Sequence, residues 1–409
     1  MSISCGEKNH PFSDVALRNI RQCLGATPED GIAEGQPFFL TLISRLAKAS
    51  GDPDWKYPLT LQEGVPIGVD EPTLTSPGVW PTKEELRGSP DDWEDLPSPT
   101  GRHNYDSAEA FSDSIKETFI EEKAMGLVEG PFTKQEAADR CGCNPSELCP
   151  GPMAAIDEGD KIRTIYDGSF GGANAHIQQN STEKTTAPTV MDCVHGIHWL
   201  RAAREVSTAE SAPQEQRATA DGVDPMAKGS VWHWPDKDST FLLLKADVSK
   251  AHRRIKILRS GWKYQVAQID QQWWVNKVGT YGVASAQLYW GRMAALLLRI
   301  LYALFPEVDW GFVFVDDFCW VLRVSNASWL TPALLGVLLA LGTPLSWKKT
   351  VLSEINTWLG FVINPSGPFV QMAKDKHVAV LKLLKELEEG KAFSLKAIEK
   401  ALGKIQWAT

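Results

Sequence analysis

Two adjacent carboxylates inside an apolar stretch constrain this chain more than any other feature. Trp310 to Arg323 reads W-G-F-V-F-V-D-D-F-C-W-V-L-R. Phe312–Val315 and Phe318–Leu322 are unbroken apolar runs, and Asp316 and Asp317 lie between them. Two short β-prone runs around a polar pair predict a buried hairpin with the acids at its tip. Like charges in such company repel each other and resist desolvation, and a bound divalent cation removes that cost. Asp is also common in ordinary turns, but there it is usually flanked by Gly or Asn, and this pair has neither neighbour.

A metal site needs further ligands. Phe241 to Ile255 reads F-L-L-L-K-A-D-V-S-K-A-H-R-R-I, which predicts a strand with Asp247 near its end. Three carboxylates from two places in the chain suit Mg²⁺, which takes oxygen ligands and is often held by one or two carboxylates plus substrate phosphates. Paired ions of this kind clamp the attacking and leaving oxygens of a phosphoryl transfer.

F-V-D-D at Phe314–Asp317 resembles the Y-x-D-D box of reverse transcriptases, and K-A-D-V-S-K-A-H at Lys245–His252 resembles their first palm motif. Y-G-V-A-S-A-Q-L-Y-W-G-R at Tyr281–Arg292 resembles the motif between them. L-S-W-K-K-T at Leu345–Thr350 and T-W-L-G-F-V-I at Thr357–Ile363 resemble the two that follow. All five stand in family order between Lys245 and Ile363, and the resemblance is read over roughly the last 280 residues. The resemblance implies an RNA-directed DNA polymerase of retroelement (retrotransposon) type. Its fold would be α+β, a right hand of fingers and palm with an antiparallel palm sheet backed by helices, and the start of a helical thumb. Its partners would be an RNA template, a DNA primer and product, and deoxynucleoside triphosphates. Its cofactor would be Mg²⁺, with Mn²⁺ as an alternative ion.

Carried over residue by residue, the resemblance makes Asp247, Asp316 and a backbone carbonyl near Val248 the holders of two ions, with Asp317 a looser ligand. Arg163 would grip the triphosphate, with Lys161 a second candidate on the same strand face. His252 stands where the family has Tyr or Phe against the ribose 2′-position; it either lines the sugar or packs under the strand. Gly282 would allow a nucleotide close to the backbone. Lys349, or Lys348 beside it, would protonate the leaving pyrophosphate. Gln287 and Thr280 replace prolines common in the family. Two other readings stay open: a catalytically inactive relative that binds RNA or a partner, and an RNA-dependent RNA polymerase.

Charge supports a nucleic-acid partner only in part of the chain. The whole carries a net charge of −9 over 409 residues. Residues 241–409 hold 21 Lys+Arg against 12 Asp+Glu, whereas residues 1–240 hold 21 against 39. The C-terminal part is therefore basic, as phosphate binding requires. No N-terminal apolar segment suggests a signal peptide, and Met293–Phe305 is too short to span a bilayer. Seven cysteines without a secretion signal point to a reducing compartment, cytoplasmic or nuclear. Cys141, Cys143 and Cys149 cluster, but C-x-C spacing is too short for a zinc knuckle, so they read as packed or loop thiols. Nothing in the sequence sets the oligomeric state.

Residues 1–105 read as an acidic extension with one helix near Pro37–Ala49, followed by an extended, partly disordered linker over 51–105. The acidic run Asp91–Asp95 reads as solvated. Residues 106–240 read as fingers. A lead-in helix runs from Asp106 to about Met125 with capping-box spacing at Asp106 and Glu109, and a polar insertion follows over 205–240. Residues 241–370 read as palm, with helices over Ala284–Leu304 and Thr331–Leu341. Residues 371–409 read as thumb helices, apparently truncated at Thr409. The first, Lys374–Glu389, turns Val378, Leu381, Leu384 and Leu387 inward, Ser394 caps the second, and eight lysines decorate the pair.

Overall fold

Two strands at the centre of the chain are apolar at nearly every position because both their faces are covered. The computed structural model describes residues 10–87, 96–159, 162–211, 241–367 and 369–388, and positions 398, 402 and 403. It is an α+β protein, the class expected from the sequence, built on an antiparallel sheet backed by helices.

The N-terminal part forms α1 (Asp14–Cys23), α2 (Leu40–Ala49), α3 (Tyr57–Glu63) and α4 (Lys83–Arg87). It corrects the linker reading over the first part of residues 51–105. Tyr57, Leu61, Val65 and Ile67 are buried in the main core. Asp54 takes two hydrogen bonds from Arg292, at 2.6 and 2.7 Å, and Asp52 pairs with Arg299. Composition hid this because the Pro, Gly and acidic residues that look like linker here alternate with core residues. The acidic run Asp91–Asp95 lies outside the described residues.

Next come α5 (Asp106–Ala110) and α6 (Ser112–Ala124), then β1 (Val128–Phe132) and α7 (Lys134–Cys141). The single lead-in helix expected from Asp106 is thus two helices, broken at Phe111. Tyr105, not Asp106, is the N-cap, and no side chain caps it. Asp106 and Glu109 lie in the first turn, where acids complement the helix dipole. The hairpin β2 (Met153–Asp157) and β3 (Ile162–Tyr166) follows, then α8 (Ala173–Asn180) and α9 (Val190–Ser211). Residues 205–211, read as the start of a polar insertion, continue α9; the remainder of that insertion lies outside the described residues.

The central sheet contains β4 (Phe241–Val248). A small sheet of β5 (Val266–Ile269) and β6 (Gln272–Asn276) with β1 leads to α10 (Ala284–Leu304). Then come β7 (Trp310–Phe314), β8 (Asp317–Arg323), α11 (Val324–Ala340) and β9 (Leu345–Ser353). The helix expected from Thr331 begins earlier, at Val324, with Pro332 inside it. The sheet order is β7-β8-β4-β9, with all its pairs antiparallel.

Side chains alternate across a strand, and here both sets find a core. Leu244, Ala246, Phe318 and Trp320 join the main cluster with Trp290 and Leu297 of α10 and Leu334 and Leu338 of α11. Leu243, Phe241, Cys319 and Val321 join a second cluster with Cys193, Ile197 and Leu200 of α9. That second cluster also takes Trp358, Phe361 and Ile363 from the meander β10 (Asn356–Trp358), β11 (Phe361–Asn364) and β12 (Phe369–Met372). Leu359 and Gly360 both have positive φ, the backbone of a tight two-residue hairpin turn.

The last helix, α12 (Lys374–Glu388), differs from its sequence reading. Val378, Leu381 and Leu384 were expected inward, yet they are 59%, 54% and 40% exposed. Periodicity identifies a face but not what covers it. The Ser394 cap lies outside the described residues. Among the described residues, no helix is long and apolar enough to cross a membrane.

Candidate active site

Asp247 is close to the end of β4, and Asp317 is the first residue of β8. The two are register partners. Directly opposed residues of an antiparallel pair project to the same face, so both carboxyls arrive on one face of the sheet, at one end of its two inner strands. Asp316 sits in the turn between β7 and β8, and its carbonyl accepts from Val248 N–H at 2.9 Å. Val315, just before it, is held at φ 52°, a rare conformation for a β-branched residue. Its carbonyl is gripped by the indole N–H of buried Trp290 at 2.6 Å.

These three acids line a cavity of about 530 Å³. Its wall also carries Arg163 from β3, Glu122 from α6, Lys250 and Arg253 after β4, Tyr281 before α10, and Lys349 from β9. Lys349 Nζ lies 2.8 Å from Asp247 Oδ2. Lys245 Nζ lies 3.6 Å from Asp317 Oδ2, and Asp317 Oδ1 is buried with no hydrogen-bond partner.

Electrostatics follow from this crowding. Burial pushes the Asp247 carboxyl above its ordinary pKa; Asp316 pushes the same way, and Lys349 pulls against them. Burial also raises Asp317, opposed by Lys245. Burial would lower Lys349, but its hydrogen bond to Asp247 and the charges of all three acids outweigh that and raise it. A positive charge beside these carboxyls would offset their burial and partner the orphaned Asp317 oxygen. A divalent ion therefore fits the residues present. Among the described residues no three His, Cys, Asp or Glu side chains form a ready-made metal cage.

The structure thus brings Asp247, Asp316, Asp317, Lys349 and Arg163 together. Arg163 is 62% exposed at its side chain and only 3.6 Å from Glu158. Lys161 lies outside the described residues. Two candidates are placed elsewhere. His252 does not line the cavity; it is half-buried against Tyr281, ring centroids 4.9 Å apart, with both ring nitrogens buried and unpartnered. Burial holds its pKa down at about 4, so the imidazole is neutral near pH 7. Gly282 lines a separate cavity with Tyr105, Tyr166 and Asp167. Its φ is +93°, and a Cβ there would meet the Tyr166 carbonyl oxygen at 1.7 Å. The close approach that glycine permits is therefore to this chain's own backbone.

The sequence reading missed Tyr281, Lys250 and Glu122. For Tyr281 the available signal is an aromatic at the mouth of the motif that contains Gly282. Glu122 looked like any acid on an amphipathic helix. The thiols of Cys141, Cys143 and Cys149 are free, and burial raises all three, Cys141 to about 12.

No protein-family model matches the sequence, and no curated protein matches it. Among solved structures the chain is similar to the foamy viral protease-reverse transcriptase in complex with dsDNA, at 14% identity and a TM-score of 0.44, covering 76% of this chain and 51% of that one. It is also similar to the dRH form of that protein with dsDNA, at 13% identity and a TM-score of 0.46, covering 98% of this chain and 54% of that one. With the RNA/DNA hybrid complex the identity is 13% and the TM-score 0.46, covering 98% of this chain and 42% of that one. The chain spans about half the length of the structures it matches.

Proposed function

We propose that this chain is an RNA-directed DNA polymerase of retroelement type, extending a DNA primer on an RNA template with deoxynucleoside triphosphates. One observation carries the reading: Asp247 and the adjacent pair Asp316 and Asp317, distant from it in sequence, meet in one cavity, with Arg163 and Lys349 on its wall. Five sequence motifs in family order supply the rest of the support.

In this reading Asp247, Asp316 and the Val248 carbonyl would hold Mg²⁺, or Mn²⁺ in its place, with Asp317 as an accessory ligand. When bound, such ions lower the pKa of the primer 3′-hydroxyl and neutralise triphosphate charge. The 3′-hydroxyl gives its proton to solvent, its oxygen bonds to the α-phosphorus as the bond to the bridging β-phosphate oxygen breaks, and pyrophosphate leaves. Arg163 binds the phosphates, and Lys349, released from Asp247, supplies a proton to the pyrophosphate. Tyr281 lines the nucleotide end of the cavity and His252 supports it from behind.

Primer extension by the purified chain on an RNA template, with Asp316→Asn as control, tests this. Extension with deoxynucleotides that Asp316→Asn abolishes is the expected result. Extension with ribonucleotides alone would mark an RNA-dependent RNA polymerase. RNA binding without any extension would mark a non-catalytic relative.

A further inference from the structure

Lys250 follows Asp247 by three residues and lines the same cavity. Its backbone is left-handed, φ 52° and ψ 43°, a conformation disfavoured for any residue with a Cβ. Such outliers concentrate at functional sites. Its Nζ lies 3.0 Å from Glu122 Oε1, across the cavity floor on α6. The other Glu122 oxygen takes a hydrogen bond from Arg253.

The two cations on this one carboxylate are not equivalent. Arg253 is buried and also donates to the Gly279 carbonyl and to Thr280 Oγ1, so it is fixed. Lys250 is 30% exposed at its side chain. If its ammonium leaves, Arg253 still neutralises Glu122. Lys250 is therefore the cation that can turn to a ligand without stranding a buried charge. A flexible ammonium is a suitable point-charge partner for a phosphate.

We infer that Lys250 is a phosphate-binding residue of the nucleotide site, resting on Glu122 until a triphosphate enters and then transferring its ammonium to it. The identity of the ligand as a nucleotide rests on the polymerase reading; the anion-binding role rests on the cavity itself.

Inorganic tripolyphosphate with Mg²⁺ is the probe, titrated calorimetrically into the full chain. Lys250→Met and Lys250→Gly should weaken its binding about tenfold, the scale of one charge-assisted hydrogen bond. Lys250→Arg should retain most of it. Glycine accepts the positive φ, so a melting curve like wild type for Lys250→Gly separates a lost ammonium from a lost fold. In primer extension the same variants should raise KM for the deoxynucleotide about tenfold and leave kcat within about threefold. Unchanged tripolyphosphate affinity and KM in both variants, where the wild type extends primers, would overturn the Lys250 assignment alone. Lys250-dependent tripolyphosphate binding by a wild type that extends nothing would support that assignment and remove the polymerase reading.

Discussion

Asp247 and Asp317 are register partners on neighbouring antiparallel strands, and one Asp317 oxygen has no hydrogen-bond donor. Without a cation this arrangement is a cost to the fold. A carboxyl whose folded pKa is raised binds protons more tightly folded than unfolded. Its stabilising share is therefore full below the ordinary value of 3.8 and is lost as pH rises through the raised value. Asp317→Asn removes that loss. In chelator the variant should melt about 1–3 °C above wild type near pH 7, and the gap should close as pH falls toward 4. A variant that melts lower at every pH would show that the Lys245 pair dominates instead.

Divalent ions should reverse the cost. Mg²⁺ or Mn²⁺ at about 100 times its dissociation constant should stabilise wild type by about 2.7 kcal/mol. Asp247→Asn and Asp316→Asn should lose most of that gain, and primer extension should fall about 10³-fold or more in each. Thermal melts with and without the ion provide the check, and equal gains in wild type and variants would discard the metal assignment.

Sugar selection should lie with Tyr281 more than with His252. Tyr281 lines the cavity, and His252 packs half-buried against its ring without lining it. Tyr281→Ala should raise ribonucleotide incorporation relative to deoxynucleotide about tenfold, and His252→Ala should raise it less. With the imidazole pKa at about 4, the ratio in wild type should stay flat between about pH 6 and 8. A larger change from His252→Ala than from Tyr281→Ala would place His252 at the sugar.

The pair Asp54–Arg292 is buried at both ends. Asp54→Ala strands the guanidinium and should cost about 3–5 kcal/mol, whereas a joint Asp54→Leu, Arg292→Leu change should recover much of it. Denaturant midpoints measure both. A loss under about 1 kcal/mol in the single variant would return residues 51–60 to the status of a linker.

The sequence revealed those parts of the molecule whose signal is local. The hairpin around Asp316 and Asp317 and the strand before Asp247 are short apolar runs ending at a charge, and Ala284–Leu304 is an apolar run too long for a strand. What stayed hidden depends on partners distant in the chain. Asp54 and Arg292 have no local pattern linking them. Val378, Leu381 and Leu384 carry a helical period that looks the same exposed or covered. His252 was assigned by its place in a motif, yet whether a side chain faces a cavity or lies behind its neighbour depends on backbone rotation after Asp247, where Lys250 turns left-handed.

Trp290 grips the Val315 carbonyl from within α10, and two residues on, Arg292 is clamped to Asp54. The turn that aims Asp316 is thus braced, through one helix, against the beginning of the chain. Trimming the N-terminus should misalign the distant acids while most of the sheet still stands, so the opening segment acts as the anvil on which that turn is set.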